Sequence, residues 1–467
     1  MYKLRERLHF MGIGGIGMSG IAEILRLQGY TVSGCDTGAG SKTIEHLKEI
    51  GCQIFDCHDA NHIHDADVLV YSSAINQKSP EVLAALEKGI PVIPRAIMLA
   101  ELMRTKYSVA VSGAHGKTTT TSMISHILIE AQKNPTVIIG GVLKNIAANA
   151  QLGAGEFLVA EADESDRSLL YLNPTIAVVT NIDKEHLDTY KDIDDIKDTF
   201  KHFLARLPFY GKAILCIDDP HIRSILPLPH IGTVKYGFSP MADVRGVIVE
   251  LTKMQSMFDV FVKKSEKIEA QKLGRFVVNM PGEHNVLNAL AAISLALEFE
   301  VSVEKIAHAL ESFHGVERRF EFKGMFKGVE VFDDYGHHPT EIKNTLNIAY
   351  KRKQKKLHVI FQPHRYTRTE KLWEDFVTLF ANHEGYVIDT LLMTDIYPAS
   401  EAPIANITSK NLIDAIKAKN PVLCAEYCSS SDEVVKFIRN NVQEGDLLIT
   451  IGAGKVNKIG ESLVSST

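Results

Sequence analysis

The sequence predicts an α/β protein made of three successive units, and three observations carry that prediction. The chain has 467 residues, about three times the ~150 residues of an ordinary domain, so each unit has room for its own core. Two glycine loops, each entered from a short apolar strand and left through an apolar helix, lie about 100 residues apart. In the last third, short apolar strands run into polar or glycine turns, as strand ends do in layered α/β folds.

Composition narrows the class. With 51 basic and 57 acidic residues the net charge is −6, and 23% of residues are charged against 45% hydrophobic. That profile belongs to a globular protein and excludes both a polybasic nucleic-acid binder and a disordered chain. Apolar runs such as Val137-Ile138-Ile139 stop at glycine or polar residues, far short of the ~20 needed to span a bilayer. The basic start Met1–Arg7 lacks the apolar core of a signal peptide. A cytosolic protein with no membrane insertion is expected. Six cysteines are too few for a disulfide framework. Cys424 and Cys428 lack a second pair at zinc spacing, and Cys52, Cys57 and His58 offer no better set.

The elements follow in chain order. Leu8–Met11 reads as a buried strand, Gly12-Ile13-Gly14-Gly15-Ile16-Gly17 as a tight turn, and Met18–Leu27 as an apolar helix. Glycines there let helix N–H groups approach a diphosphate. Asp36, at the end of the strand Thr31–Cys35, is placed to accept from a ribose hydroxyl. Any diphosphate-linked nucleotide satisfies this pattern, NAD included. Val68–Tyr71 forms a further strand, followed by the polar turn Ser72-Ser73, and Arg95 ends the strand Pro91–Pro94, as a phosphate contact or as a solvated charge.

The second loop is more specific. Tyr107–Val111 is a strand leading into Ser112-Gly113-Ala114-His115-Gly116-Lys117-Thr118-Thr119-Thr120 and an apolar helix. Backbone N–H groups of such a loop wrap phosphates, Lys117 reaches the terminal pair, and the Thr118 hydroxyl faces Mg²⁺. Phe157–Ala160 ends in Glu161, with Asp163, Glu164 and Asp166 close behind. A carboxylate there suits a cation beside the phosphates. Ile176–Thr180 ends in Asn181 with His186 five residues on, which makes Glu161 and His186 candidates for a second cation. His284 and Asn285 open the apolar helix Val286–Leu297, either as adenine contacts or as helix caps. Strands Val329–Phe332, Lys356–Phe361 and Leu447–Ile451 make the third unit. A dehydrogenase carrying an ATPase appendage explains the first loop and has no need of the second; a phosphate-loop regulator that binds its ligand without turnover is the other reading.

These blocks, together with Arg318-Arg319-Phe320, Asp333-Asp334-Tyr335-Gly336-His337-His338-Pro339-Thr340-Glu341 and Phe361-Gln362-Pro363-His364-Arg365-Tyr366-Thr367-Arg368-Thr369, make the chain resemble the Mur ligases nearly end to end. The resemblance implies an ATP-dependent carboxylate–amine ligase of peptidoglycan precursor synthesis, working with Mg²⁺ through an acyl phosphate. It implies a Rossmann-like N-terminal domain over residues 1–104, a P-loop ATPase domain over 105–314 and a Rossmann-like C-terminal domain over 315–467. The substrates it implies are UDP-N-acetylmuramate, L-alanine and ATP, handled by a monomer or weak homodimer.

Site residues follow from the same resemblance. Gly14, Gly15, Ile16, Gly17, Asp36, Ser72, Ser73 and Arg95 are expected at the UDP sugar. Gly113, Ala114, His115, Gly116, Lys117, Thr118, Thr119, His284, Asn285 and Arg319 are expected at ATP, and Thr118, Glu161 and His186 at the metal. For the amino acid the set is Tyr335, His338, His364, Arg365 and Arg368. The two arginines would clamp its carboxylate, and His338 would serve as a base or as a positioning group. Lys117, His338 and Arg319 are the expected catalytic groups. Ala114 replaces the threonine usual in the family, and Lys455 a small polar or acidic residue.

Overall fold

The computed structural model describes residues 6–38, 41–72, 75–143, 148–186, 189–263, 269–381, 385–399 and 401–465. It has three sheets, one after another along the chain.

The first sheet has five parallel strands in the spatial order Gln53–Phe55, Thr31–Cys35, Arg7–Met11, Val68–Tyr71 and Val92–Pro94. This is the doubly wound order in which ligands gather at the C-terminal edge, where the strand sequence reverses. The helix Ile16–Leu27 is apolar for a reason beyond its own sheet. It also packs against the central unit's strands Thr136–Leu143 and Ala148–Gln151, and one continuous core runs from Leu8 through both units to Val316. The approach is close at Gly20, where an added Cβ would lie 3.2 Å from Ala150 Cβ. Asn149 closes the seam by donating from Nδ2 to Ile16 O at 2.8 Å.

The central sheet has ten strands, with a parallel middle and antiparallel strands at both ends. Register decides what stands beside the phosphate loop. Val111 is opposite Glu161 and Val179 is opposite Ser112, so the loop emerges between the carboxylate-bearing strand Phe157–Glu161 and the Thr180-Asn181 turn. The helix that follows, Lys117–Glu130, is buried over most of its length and is covered by the helix Glu283–Glu298. Two of its interior hydroxyls are satisfied within the helix, Thr121 donating to Lys117 O and Ser125 to Thr121 O, while Thr120 donates across to Asn288 Oδ1.

In the third sheet the order is Glu321–Phe326, Val329–Asp334, Leu447–Ile451, Leu357–Phe361, Thr390–Met393 and Cys424–Tyr427, with only the first pair antiparallel. Its two cores are separate from the one shared by the first two units. Among the described residues no helix is long and apolar enough to cross a membrane.

The seam at Gly20 can be tested directly. Leucine is the better helix former by about 0.8 kcal/mol, yet Gly20→Leu should give a net loss of about 1–2 kcal/mol through overpacking. The loss would be read from the urea midpoint at unchanged slope; a gain in stability would show that the two units do not pack as described.

Candidate active site

The phosphate loop is held open by contacts that only glycine permits. Gly113 (φ 131°) and Gly116 (φ 82°) are left-handed. A Cβ on Gly113 would fall 2.2 Å from Thr180 Oγ1, and one on Gly116 2.5 Å from Asn288 Oδ1. The loop is buttoned to the next strand end. His115 N donates to Asn181 Oδ1 at 2.8 Å, while Thr180 Oγ1 and Asn181 Nδ2 both donate to His115 O. Ala114 is buried, and its N–H donates to Asn181 O at 3.2 Å, so the missing hydroxyl leaves the backbone cradle intact.

Lys117 Nζ donates to Gly113 O at 2.6 Å, Ala114 O at 3.1 Å and Glu164 Oε1 at 2.8 Å. Burial works against its charge, but Glu164, Glu185 and Asp163 outweigh burial and raise its pKa, so the ammonium is permanent. Glu161 turns the other way, accepting from Gly140 N at 2.9 Å and hydrogen-bonding the Thr118 side chain. Burial pushes its pKa up.

This corrects one expectation. Thr118 and Glu161 are together as predicted, but His186 is paired elsewhere. Its Nε2 lies 3.4 Å from Glu164 and 3.5 Å from Glu185, and the ligand atoms of these three residues are within 4.8 Å of one another. The Gly140 and Thr118 contacts orient Glu161 away from that group. Glu185 had no sequence signal beyond being the neighbour of His186.

A cleft of about 690 Å³ opens beside the loop and is lined by His115, Gly116, Thr119, His284, Asn285 and Arg319, among others. The helix Glu283–Glu298 starts at Gly282 without a side-chain cap, which rules out capping as the role of His284 or Asn285. Burial, helped by the Arg319 charge, lowers the His284 pKa to about 4, so a neutral ring faces the cleft. The two adjacent arginines divide their work. Arg318 turns into the third unit, donating to Asp333 Oδ2 and to the carbonyls of Gly452 and Gly454. Arg319 faces the cleft, 3.8 Å from Glu341.

The expected amino-acid residues separate into two groups. His338, Arg365 and Arg368 line a small cavity together with Glu185 and His186. Tyr335 and His364 do not line it. The Tyr335 ring instead packs beneath both Arg318 and Arg319. His364 stacks on Tyr397 and receives Arg368 Nη1 at its Nδ1, 3.2 Å away. Both act as supports for arginines. His338 caps the helix Pro339–Arg352, its Nδ1 accepting from Thr340 N and its backbone N–H facing Glu341. Burial lowers its pKa, so it stands as a neutral imidazole whose acceptor nitrogen is already engaged.

At the first loop, the N–H groups of Gly12 and Ile13 both donate to Cys35 O. The Asp36 expectation changes: its carboxylate braces the loop, accepting from Gly14 N and Gly38 N at 2.8 Å each. A short glycine turn leaves unpaired N–H groups, and the nearest carboxylate takes them before any ribose. Gly15 caps the helix without a side chain, Ile16 is half exposed, and Ser72 Oγ sits against Gly12. Arg95 lies over Gly17, where an added Cβ would be 3.1 Å from Nη1, and its Nη2 reaches Asp163 of the central unit at 3.6 Å. Ser73 lies outside the described residues. Lys455 also stands apart from both cavities.

One network joins the second and third units. His115 Nε2 is 2.9 Å from Asp183 Oδ2 and its Nδ1 is 3.5 Å from Glu341 Oε1, while Thr340 Oγ1 donates to the same Asp183 oxygen at 2.9 Å. Burial pushes the His115 pKa down, but the Asp183 hydrogen bond and the carboxylates of Glu341 and Glu185 lift it to about 10. Asp183 is driven low, chiefly by His115 against the cost of burial.

Comparison with known proteins agrees with this geometry. Three family models match in succession: the Mur ligase family catalytic domain over residues 7–107, the Mur ligase middle domain over 111–296 and the Mur ligase glutamate ligase domain over 318–454. The UDP-N-acetylmuramate--L-alanine ligase of Desulfatibacillum aliphaticivorans is 48% identical across 100% of both chains. Among solved structures, the UDP-N-acetylmuramate-alanine ligase of Thermotoga maritima superposes with a TM-score of 0.79 at 27% identity, covering 98% of each chain. A murein peptide ligase from Psychrobacter arcticus gives 0.71 at 25% identity, also with 98% coverage of each.

The His115 bridge sets a pH dependence. The folded state holds this proton more tightly than the unfolded chain, so its stabilising effect is full below pH 6.5 and is lost as pH rises through about 10. The stability difference between the native protein and His115→Gln, measured by denaturant titration, should therefore shrink steadily over that window. A difference independent of pH would show that His115 is not charged.

Proposed function

Because the chain belongs to the Mur ligase family, we propose that it joins L-alanine to the lactyl carboxylate of UDP-N-acetylmuramate in the cytosol, converting ATP to ADP and phosphate. The observation that carries this reading is the convergence of a phosphate loop, a deep cleft beside it and an arginine-lined cavity on one stretch of backbone, Asp183–His186. The full-length relative named for this reaction supports the choice of substrates.

Residues 1–104 take the UDP sugar at the Gly12–Gly17 loop, with Ser72 and Arg95 beside it. Residues 105–314 take ATP, and residues 315–467 take the amino acid. The lactyl carboxylate attacks the γ-phosphorus and ADP leaves. The alanine amine then attacks the acyl carbon, loses a proton and expels phosphate. Lys117 and Arg319 hold the γ-phosphate, which leaves positioning and charge stabilisation as the main source of rate. His284 and Asn285 face the nucleotide in the cleft.

The donor chemistry fits Mg²⁺ in two places. One is the Thr118 hydroxyl with the Glu161 carboxylate, at the start of a helix. The other is Glu164 with Glu185 and His186, which replaces the Glu161–His186 pairing. A bound Mg²⁺ supplies charge neutralisation at the phosphates. Arg365 and Arg368 clamp the alanine carboxylate, a task for planar bidentate donors. His338 positions the amine, because its acceptor nitrogen already holds Thr340.

Phosphate release should require ATP, Mg²⁺, UDP-N-acetylmuramate and L-alanine together. Release indifferent to both substrates would sink the proposal, and a preference for a tripeptide over L-alanine would redirect it to murein peptide recycling. Lys117→Ala removes a charge-assisted hydrogen bond of about 1.5–3 kcal/mol, so turnover should fall at least roughly 10- to 150-fold. Arg368→Lys should raise KM for L-alanine while leaving KM for ATP near its native value. An equal change in both would place Arg368 outside the amino-acid site.

A further inference from the structure

The first unit holds a second cluster of ligand-type side chains, which the ligase chemistry does not use. His9 comes from the strand Arg7–Met11, Cys35 from the end of Thr31–Cys35, His58 and His62 from the connection after Gln53–Phe55, and Glu81 from the first turn of the helix Pro80–Glu87. The ligand atoms of His9, Cys35 and Glu81 lie within 4.8 Å of one another. Cys35 Sγ is 3.1 Å from His58 Nδ1, which is 3.2 Å from Glu81 Oε1, and His62 Nδ1 is 3.7 Å from that oxygen.

Three features distinguish this cluster from ordinary core polarity. First, His9 Nε2, His62 Nδ1 and Glu81 Oε2 are buried without a hydrogen-bond partner among the described residues, although His9 and Glu81 are both 0% exposed. Buried polar atoms are normally satisfied. Second, among the described residues the Glu81 carboxylate is paired with no lysine or arginine: its Oε1 accepts from Asp59 N at 3.1 Å and faces His58 and His62. A buried carboxylate without a fixed positive partner is a ready ligand for a cation. Third, the other nitrogen of His9 is 2.9 Å from Ser33 Oγ. Donation from Nδ1–H to that hydroxyl leaves the Nε2 lone pair aimed at the cluster, the arrangement that outer-sphere partners impose on metal-binding histidines. His62 is fixed in turn by stacking on Phe55 at 3.9 Å.

We propose that this cluster is a structural zinc site, with Zn²⁺ held by Cys35 Sγ, His9 Nε2, His58 Nδ1 and Glu81, and with His62 packed against the carboxylate. Mixed sulfur, imidazole and carboxylate donors select zinc over Mg²⁺ or Ca²⁺. Tetrahedral bonds of about 2.0–2.3 Å put ligand atoms roughly 3.3–3.8 Å apart; the His58 spacings of 3.1 and 3.2 Å are slightly tighter than that, and the His9, Cys35 and Glu81 atoms, within 4.8 Å of one another, would close onto the ion. Binding converts the Cys35 thiol to a thiolate and releases its proton to solvent. The His58 side chain, 30% exposed, gives the ion its way in. Because Cys35 O accepts from Gly12 N and Ile13 N, the ion would brace the strand end that holds the nucleotide-sugar loop. No sequence spacing announces the site, since its ligands come from four separate segments.

The test uses the full-length protein stripped with a chelator and kept in excess Mg²⁺, so that oxygen-rich sites are filled. Co²⁺ is added as an optical probe and then displaced by zinc. Stoichiometric binding with a thiolate-to-cobalt charge-transfer band is expected, and Cys35→Ser should abolish the band. Ser33→Ala should weaken zinc about ten- to a hundredfold without altering the circular-dichroism melt of the metal-free protein. His58→Ala, at the partly exposed edge, should weaken zinc about tenfold or more and keeps the test open should Cys35→Ser fail to fold. The proposal is overturned if the native protein binds no stoichiometric zinc, if the thiolate band survives in a folded Cys35→Ser variant, or if His58→Ala leaves zinc affinity unchanged. None of these readouts depends on ligase activity.

Discussion

The phosphate loop is where all three units are tied together, and ion pairs do the tying. Arg95 of the first unit reaches Asp163, two residues beyond Glu161, while His115, inside the loop, spans Asp183 and Glu341. At the better-buried His115, removing Asp183 or Glu341 would leave the imidazolium short of a partner, which costs more than the pair itself contributes. The loop therefore does more than cradle phosphates. Its conformation is coupled to where the first and third units sit, so a ligand that reshapes the loop must also move the contacts that hold its neighbours.

The two joints differ in kind. The first and central units share one apolar core across the helix Ile16–Leu27, whereas the third has its own cores and meets the rest through polar contacts such as Thr340 to Asp183 and Arg352 to Lys253 O. Apolar burial is non-directional and is lost in proportion to area once a seam opens. A polar contact exchanges for water at a net cost of about 0.5–1.5 kcal/mol. A closure around substrates would therefore meet less resistance at the third unit, and the small cavity between His186 and Arg368 is the space it would tighten.

How much of this was legible in the sequence depended on whether a feature was local. Strand-loop-helix passages read well, because glycine placement, apolar runs and capping are properties of neighbouring residues. Thr31–Cys35 and Leu447–Ile451 appear as the sequence predicts them. Partners brought in from elsewhere did not read well. Whether Asp36 would face a ribose or its own loop, and whether His186 would pair with Glu161 or Glu164, depended on side-chain directions set by distant strands. The dual burial of the helix Ile16–Leu27 was hidden for the same reason: an apolar helix looks alike whether one face or two are covered. Arg318 and Arg319 are adjacent and chemically identical, yet one is structural and one faces the cleft. Arg318 has a left-handed backbone (φ 60°), and a residue-type pattern carries no such information.

The charge balance around the loop leads to a last step. Carboxylates already occupy the cations around the loop: Lys117 is held by Glu164, Arg95 by Asp163, His186 by Glu164 and Glu185, and His115 by Asp183 and Glu341. Beyond these pairs Arg319, which faces the cleft 3.8 Å from Glu341, adds one positive charge, too little to offset a triphosphate approached by a second carboxylate. Like charges in a partly buried site repel far more strongly than in water. A nucleotide that brought divalent cations would supply the missing charge, with the carboxylates that pair with the lysine and the histidines as their ligands. Because Glu164 holds Lys117 and also stands beside His186, its exchange from lysine partner to cation ligand would free the ammonium for the γ-phosphate as the cation binds.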